Sequence, residues 1–424
     1  MIGSIGFGIF GLAVLLALAW LLSMDRRKVD WRLVGAGIAL QLTFAILVIL
    51  VPGGREFFDI LSSLFVKIIS FVEVGSQFIF NDLADPTKFG FVFAFQVLPT
   101  IIFFASLMAV LYHLGIMQKI VQGMAWVMLK IMNVSGSESL AVAANVFVGQ
   151  TEAPLVVRPY IARMTESELF TMMVGGMATI AGAVLAAYIA MLGGPDPEQQ
   201  LFYARHLLAA SVMAAPATIV IAKILKPEQE ESLTKGKVNL HVEKSASNAI
   251  EAAANGAADG VRLALNVGGM LLAFLALIAL INWPLEAIGA FTGLEVLAGE
   301  PITITLIMGY ILSPLAWVIG VPWQDAVTVG GLIGEKMIAN EFVAYSSLNE
   351  IKGSLSPQAV LISTYALCGF ANFSSIAIQI GGIGGLAPER RGDIARLGIR
   401  AVIGGTLATM MTATIAGVLT QMAN

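Results

Sequence analysis

Long apolar runs alternate with short polar breaks along almost the whole chain. Eight of them are long enough to cross the ~30 Å hydrocarbon core of a bilayer, which takes about 20 helical residues. They cover residues 3–23, 33–51, 91–112, 167–192, 206–224, 262–282, 357–382 and 395–421. Two further stretches carry a one-sided apolar stripe, which predicts helices lying in the interface. In 55–83, Phe57, Ile60, Leu61, Leu64, Ile68 and Phe71 recur at mostly three- and four-residue steps, and 116–132 is again amphipathic, with Lys119 and Lys130 at its edges. Residues 226–246 are the most polar piece and read as a solvated loop too short to bury a core. An Ala-rich amphipathic piece, 247–258, follows it; residues 301–321 are apolar but interrupted by Pro314, so they are not counted as a span.

Two stretches fit neither class. In Ser139–Met164 the polar triplet Gln150-Thr151-Glu152 separates two apolar runs, each too short to span. Eleven helical residues rise roughly 16 Å, about half the core. The reading is a re-entrant hairpin, with one Pro-kinked spanning helix as the alternative. Thr151 is expected to cap the second half-helix, with Glu152 and Pro154 in its first turn, where the dipole favours an anion and a missing N–H costs little. Gln324–Ser347 has the same plan, with Asn340-Glu341 in place of Thr151-Glu152. Each stretch precedes a span with helix-weakening residues in its middle: Thr179 and Gly182 in one, Gly369, Asn372, Ser374 and Ser375 in the other. An inverted repeat with paired interrupted helices is the sequence pointer to a secondary transporter with its site at the midplane.

Composition agrees. Of 424 residues 58% are hydrophobic and 12% charged, with a mean hydropathy of +0.85, against about 25% charged in soluble domains. This is an all-α polytopic membrane protein. The net charge of -4 says nothing about partners, and the single Cys368 excludes an internal disulfide. His113, His206 and His241 are scattered, with no metal-ligand spacing. The first run has no basic residue before it and Arg26-Arg27-Lys28 after it, so it reads as a first span with its N-terminus outside, not as a cleaved signal. Eight spans then put both termini outside. Arg55, Lys67, Lys88, Arg205, Lys336 and Lys352 fall on the outer side, leaving 18 of the 24 basic residues (24 less 6) facing inward, the bias of the positive-inside rule. The first hairpin is then cytoplasmic and the second external.

An ionisable group at membrane depth is costly, which makes Glu152 and Glu341 functional candidates. Two carboxylates beside Gln150, Thr151, Asn372 and Ser375 form a site rich in acceptors and neutral donors, with Lys336 the one cation in possible reach. Such a site suits a neutral, polyhydroxylated ligand with N–H groups better than a phosphate or carboxylate. Phe370 and Val184 can supply an apolar wall for a flat ring, although taken alone ordinary helix packing is the simpler reading of both. Carbonyls at broken helices with one or two side-chain oxygens make a sodium site. Asn145 and Thr179 are candidate side-chain ligands and Val148 and Ile180 candidate carbonyl ligands; Asn145 can instead bond a neighbour. Glu166 and Glu168 read as N-terminal helix charges and Cys368 as a small filler. An intramembrane enzyme would need a Ser–His pair or a His/Cys/Asp metal set at membrane depth, and the sequence offers neither.

The motifs GQTEAPL (Gly149 to Leu155), NEFVAY (Asn340 to Tyr345), CGFANFSSI (Cys368 to Ile376) and APERRGDI (Ala387 to Ile394) resemble the signatures of the concentrative nucleoside transporters, in the eight-span bacterial form. The resemblance covers the chain nearly end to end. It implies a homotrimer in the bacterial cytoplasmic (inner) membrane, importing nucleosides such as uridine, cytidine or adenosine by an elevator-like shift, with no enzymatic activity and no nucleic-acid partner. It divides the chain into 1–115 (mainly scaffold spans), 116–225 (first transport repeat), 226–300 (loop, interfacial helix and scaffold span) and 301–424 (second transport repeat). By motif position Gln150, Thr151 and Glu152 would face the base with Val184 packing on it. Glu341, Asn372 and Ser375 would bind ribose hydroxyls, and Phe370 would line the pocket. Asn145, Val148, Thr179 and Ile180 would hold sodium. Thr179 stands where some relatives have serine, and the hydroxyl is kept. Proton coupling, used by some bacterial members, is the alternative.

Overall fold

A computed structural model describes residues 2–90, 92–236, 246–293, 299 and 301–423. Part of the polar loop, 237–245 with His241, Lys237 and Lys244, lies outside the described residues, as does Phe91 at the start of the third run. Among the described residues the fold is helical throughout, with one isolated β-bridge between Ser135 and Lys235.

The helices are α1 Ile2–Leu21, α2 Trp31–Ile49, α3 Pro52–Phe80, α4 Leu98–His113, α5 Ile116–Met132, α6 Gly136–Asn145, α7 Glu166–Ala178, α8 Gly182–Gly193, α9 Pro197–Leu225, α10 Ala249–Thr292, α11 Ile304–Val318, α12 Ala326–Ile338, α13 Glu341–Ile351, α14 Pro357–Ala366, α15 Phe373–Leu386 and α16 Arg391–Ala423. All eight expected spans are present, two of them as broken pairs: α7 with α8 and α14 with α15. The order α5–α6–return–α7/α8–α9 recurs as α11–α12–α13–α14/α15–α16. Three spans separate the two hairpins, so they enter from opposite faces. Helix α11 has 15 residues and rises roughly 22 Å, too little to cross; it repeats the place of α5 in the first unit. Pro314 lies inside α11 without breaking it.

Three local expectations need correction. The Ala-rich piece 247–258 and the sixth span are one 44-residue helix, α10. It is capped by Asn248 and meets no proline before Pro284, so nothing stops propagation. Thr151 does not cap the return limb of hairpin 1; its hydroxyl donates to Glu152 Oε1 at 2.9 Å. That limb is a 3-10 turn, Ala153–Val157, and a four-residue helix, Arg158–Ile161, instead of a full half-helix. Pro154 and Pro159 remove two N–H donors within six residues. Asn340, by contrast, caps α13 through Val343 N at 3.0 Å.

Both hairpins are pinned at their bases. Ser135 and Glu138 form a capping box at α6, Thr165 and Glu168 one at α7, and Ser137 Oγ donates to Glu168 Oε1 at 3.1 Å. Lys223 closes this end with a buried ion pair to Glu138 at 2.8 Å. At hairpin 2, Asp325 accepts from the Ser356 hydroxyl at the cap of α14. The APERRGDI run has a structural use here: Arg390 donates to the Met164 carbonyl at 2.6 Å and pins the end of hairpin 1. Glu166 pairs with Lys226 at 2.6 Å and with Arg396, as a helix-start charge should.

In a bilayer, apolar surface gains little from burial against other helices, so close packing through small residues carries association. The windows of α7/α8, α9 and α16 are 89% buried, whereas that of α10 is 11% buried; the former make the core and α10 borders it. Helix α10 meets α4 through Gly256 and Gly260, where an added Cβ would lie 2.7 Å from the Ala105 carbonyl oxygen and from Ile102 Cα respectively. A Gly260→Leu variant should therefore lose about 1–3 kcal/mol. Thermal unfolding in detergent should show a lower melting temperature; an unchanged one would contradict this packing.

Candidate functional site

The two breaks are the centre of the molecule. Helix α7 ends at Ala178 and α8 starts at Gly182; α14 ends at Ala366 and α15 starts at Phe373. They touch: Phe370 N donates to the Thr179 carbonyl at 3.3 Å. A Cβ on Gly369 would lie 2.8 Å from the Met177 carbonyl oxygen, so only glycine permits the approach.

Around this crossing the hairpin tips join in one run of hydrogen bonds. Gln150 Nε2 donates to Ser375 Oγ at 3.0 Å. Ser375 N donates to Asn372 Oδ1 at 2.9 Å, the cap of α15. Asn372 Nδ2 donates to Glu341 Oε2 at 3.1 Å, and Tyr188 Oη donates to Glu341 Oε1 at 2.9 Å. Hairpin 1 thus reaches α15 and hairpin 2 reaches α8. Gln150, Glu341, Asn372 and Ser375 are all buried. Glu341 is the first residue of α13, where the dipole favours its charge.

The remaining candidates separate. Thr151 is half-buried and packs on α15, since a Cβ on Gly382 would lie 2.8 Å from Thr151 Cγ2. Glu152 is exposed and bonded to Thr151, not joined to Glu341. Val184 is buried one turn before Tyr188, on the same helix face. Phe370 is half-buried within the second break. Lys336 does not join the carboxylates. Its ammonium donates to the Ala366 carbonyl at 2.7 Å and to Thr409 Oγ1 at 3.2 Å.

A second cluster lies at the first break. Asn145, the last residue of α6, is 1% exposed, and neither its Oδ1 nor its Nδ2 has a partner. An idle buried amide costs about 1–3 kcal/mol, and both of its polar atoms are open to a ligand. The alternative of a bond to a neighbour is not realised. Thr179, the cap of α7, donates its hydroxyl to the Gly175 carbonyl at 2.8 Å and keeps lone pairs free. Gly182 N donates to the Phe147 carbonyl at 2.9 Å, which brings Val148 and Ile180 to the same junction. The C-termini of α6 and α7 both end here, and both present the negative ends of their dipoles. Neutral oxygens with converging helix C-termini suit a hard monovalent cation.

Three residues escaped the sequence reading. Tyr188 sits four residues after Val184, a spacing that the helix period could have flagged. Gln379, fully buried in a spanning segment, donates to Gln150 Oε1 at 3.1 Å and to the Met173 carbonyl at 2.9 Å; a buried amide at that depth was the available signal. Thr218, buried with an unpartnered hydroxyl, borders Gly175 beside Asn145, and nothing in its local sequence marks it.

Comparison with known proteins shows what the whole chain is similar to. Family models described as "Na+ dependent nucleoside transporter C-terminus" and "N-terminus" match residues 206–417 and 10–83, and one described as "Nucleoside recognition" matches 94–195. The chain is 47% identical to an uncharacterised transporter of Haemophilus influenzae, over 98% of this chain and 97% of that one. It is 43% identical to the nucleoside permease NupC of Helicobacter pylori, over 98% of each. Among solved structures, CNTnw in an inward-facing substrate-bound state superposes with a TM-score of 0.90 at 44% identity, covering 99% of this chain and 98% of that chain.

Gln379→Leu should release the tip of hairpin 1, stranding the Gln150 and Met173 carbonyls at a cost of about 1–3 kcal/mol. A melting temperature in detergent several degrees below that of the parent is expected; equal melting would mean that the amide does not hold the tip.

Proposed function

The chain belongs to the Na+-dependent nucleoside transporter family, and from that membership we propose that it is a symporter importing nucleosides, driven by a sodium gradient. It is a multi-pass membrane transporter and not an enzyme. The observation that carries the finer reading is the unbroken run Gln150–Ser375–Asn372–Glu341–Tyr188 beside the unpartnered Asn145.

Each side chain has a role that its chemistry fits. Gln150 offers a donor and an acceptor in one plane, which matches the edge of a nucleobase. Thr151 and Glu152 extend that edge, and Val184 and Phe370 flank the ring. Glu341 accepts from ribose hydroxyls, while Asn372 and Ser375 offer both donors and acceptors to them. The bonds these groups now make to one another are exchanged for bonds to ligand, so none is stranded when the site empties. Asn145 Oδ1, the Thr179 hydroxyl and the Val148 and Ile180 carbonyls hold the sodium ion. The ion neutralises the converging C-termini of α6 and α7 and so fixes the tip that carries Gln150. Ion and nucleoside thereby favour the same arrangement of hairpin 1, which is coupling in the thermodynamic sense.

The same reading places the two repeats, 116–225 and 301–424, in a moving transport unit, with 1–115 and 226–300 mainly in a scaffold. A homotrimer in the bacterial inner membrane, with both chain termini outside and elevator-like movement, completes it. A relative of known structure has been captured in inward- and outward-facing states, which supports alternating access.

Proteoliposomes with sodium and proton gradients imposed separately test the reading. Uridine uptake should follow the inward sodium gradient. Uptake that follows the pH gradient and ignores sodium would instead establish proton coupling. Glu341→Ala should lower uridine affinity by about ten- to a hundred-fold, since each hydrogen bond to a charged group contributes about 1.5–3 kcal/mol. Undiminished uptake in that variant would sink the ribose assignment.

A further inference from the structure

The second repeat holds a buried ammonium, that of Lys336, at the place where its helix ends meet. In the first repeat, helix C-termini converge at the ends of α6 and α7, beside Thr218 of the closing helix α9. In the second, the ends of α12 and α14 converge in the same way beside Thr409 of the closing helix α16. At that point lies the Lys336 ammonium, in the last turn of α12 and fully buried. It donates to the carbonyl of Ala366, the final residue of α14, at 2.7 Å, and to Thr409 Oγ1 at 3.2 Å. Among the described residues it makes no ion pair.

A buried charge with no direct ion pair is a large expense for a fold, and the Glu341 carboxylate acts on Lys336 only through space. Here the surroundings are a cation's surroundings: the carbonyl at the C-terminal, negative end of α14 and a hydroxyl of α16. The corresponding place in the first repeat has the same backbone pattern with no charged side chain, and instead the idle amide of Asn145. We propose that Lys336 is a tethered cation, standing in the second repeat where the first repeat takes its exchangeable sodium ion. It keeps α12 docked on α14 and α16 through the whole cycle. Glu341, five residues further along the same hairpin, therefore stays placed whether or not sodium is bound. Lys336 is a positioning residue: it touches neither the ion nor the nucleoside, and it makes hairpin 1 the ion-gated hairpin. The inference rests on the sodium reading of the first repeat.

Two variants test it. Lys336→Ser removes the charge and leaves an oxygen-lined gap; Lys336→Met removes the charge and fills the gap. Purified wild type and variants are melted in detergent against NaCl and against choline chloride, and uridine uptake is measured against sodium. At low sodium both variants should melt below wild type and bind uridine roughly tenfold more weakly. High sodium should rescue Lys336→Ser alone, and its Hill coefficient for sodium should rise from about 1 toward about 2 as a second ion enters. Lys336→Met should stay impaired at every sodium concentration. Failure of sodium to rescue the serine variant, including loss of both variants as unfolded protein at all concentrations, overturns the proposal. So does equal sodium rescue of both. A wild type indifferent to sodium marks failure of the sodium reading instead; sodium rescue of Lys336→Ser on that background would still uphold the tethered cation.

Discussion

Two helices break where they touch, and the rest of the transport core is built around that contact. Inside a bilayer an unpaired backbone group is intolerable, and a broken helix exposes several at once. Here the breaks at 179–181 and 367–372 satisfy one another in part, through Phe370 N and the Thr179 carbonyl at 3.3 Å. What the breaks leave over is directed. Helix C-termini, with their negative ends, point at the proposed cation positions. The N-termini of α13 and α15, capped by Asn340 and Asn372, face the polar groups proposed to hold the nucleoside. The hairpins supply the side chains that the breaks lack.

The cross-connection follows from that arrangement. Hairpin 1 is bonded to the broken helix of the second repeat, through Gln150 with Ser375 and Gln379. Hairpin 2 is bonded to the broken helix of the first, through Glu341 with Tyr188. Neither hairpin can move without disturbing the other repeat. On the proposed function, this is how occupancy of an ion site at Asn145 reaches a ligand held by Glu341 without a long pathway. The two units share their side chains where they meet. The proposed difference between the repeats is equally informative: one cation position is open to an exchangeable ion and the other is filled by Lys336.

Much of this was legible in the sequence. Hydrophobic length alone gives the eight spans, and the out-of-place polar pairs Thr151-Glu152 and Asn340-Glu341 mark both hairpin tips. The spacing of helix-weakening residues places both breaks. The misses have physical causes. Thr151 looks like a cap, but two prolines turn the limb after it into a 3-10 segment that offers no cap geometry. The fusion of 247–258 with the sixth span was hidden by the change from amphipathic to apolar character, which alters what a helix faces without ending it. Tyr188 and Gln379 sit in long apolar runs where hydrophobic length dominates the signal; the helix period and the out-of-place amide mark them only weakly, and their partners come from tertiary contact. The direction of Lys336 depends on α14 and α16, far away in sequence.

The central claim is that the ion and nucleoside positions are two faces of one assembled junction. Equilibrium binding to the purified protein tests it directly, by measuring uridine affinity at low and high sodium and sodium affinity with and without uridine. The account predicts that each ligand tightens the other by the same factor, roughly five-fold or more, and that the effect vanishes when Asn145 is replaced by leucine. Uridine binding of equal strength in sodium and in choline, with intact protein and saturable sites, would contradict it.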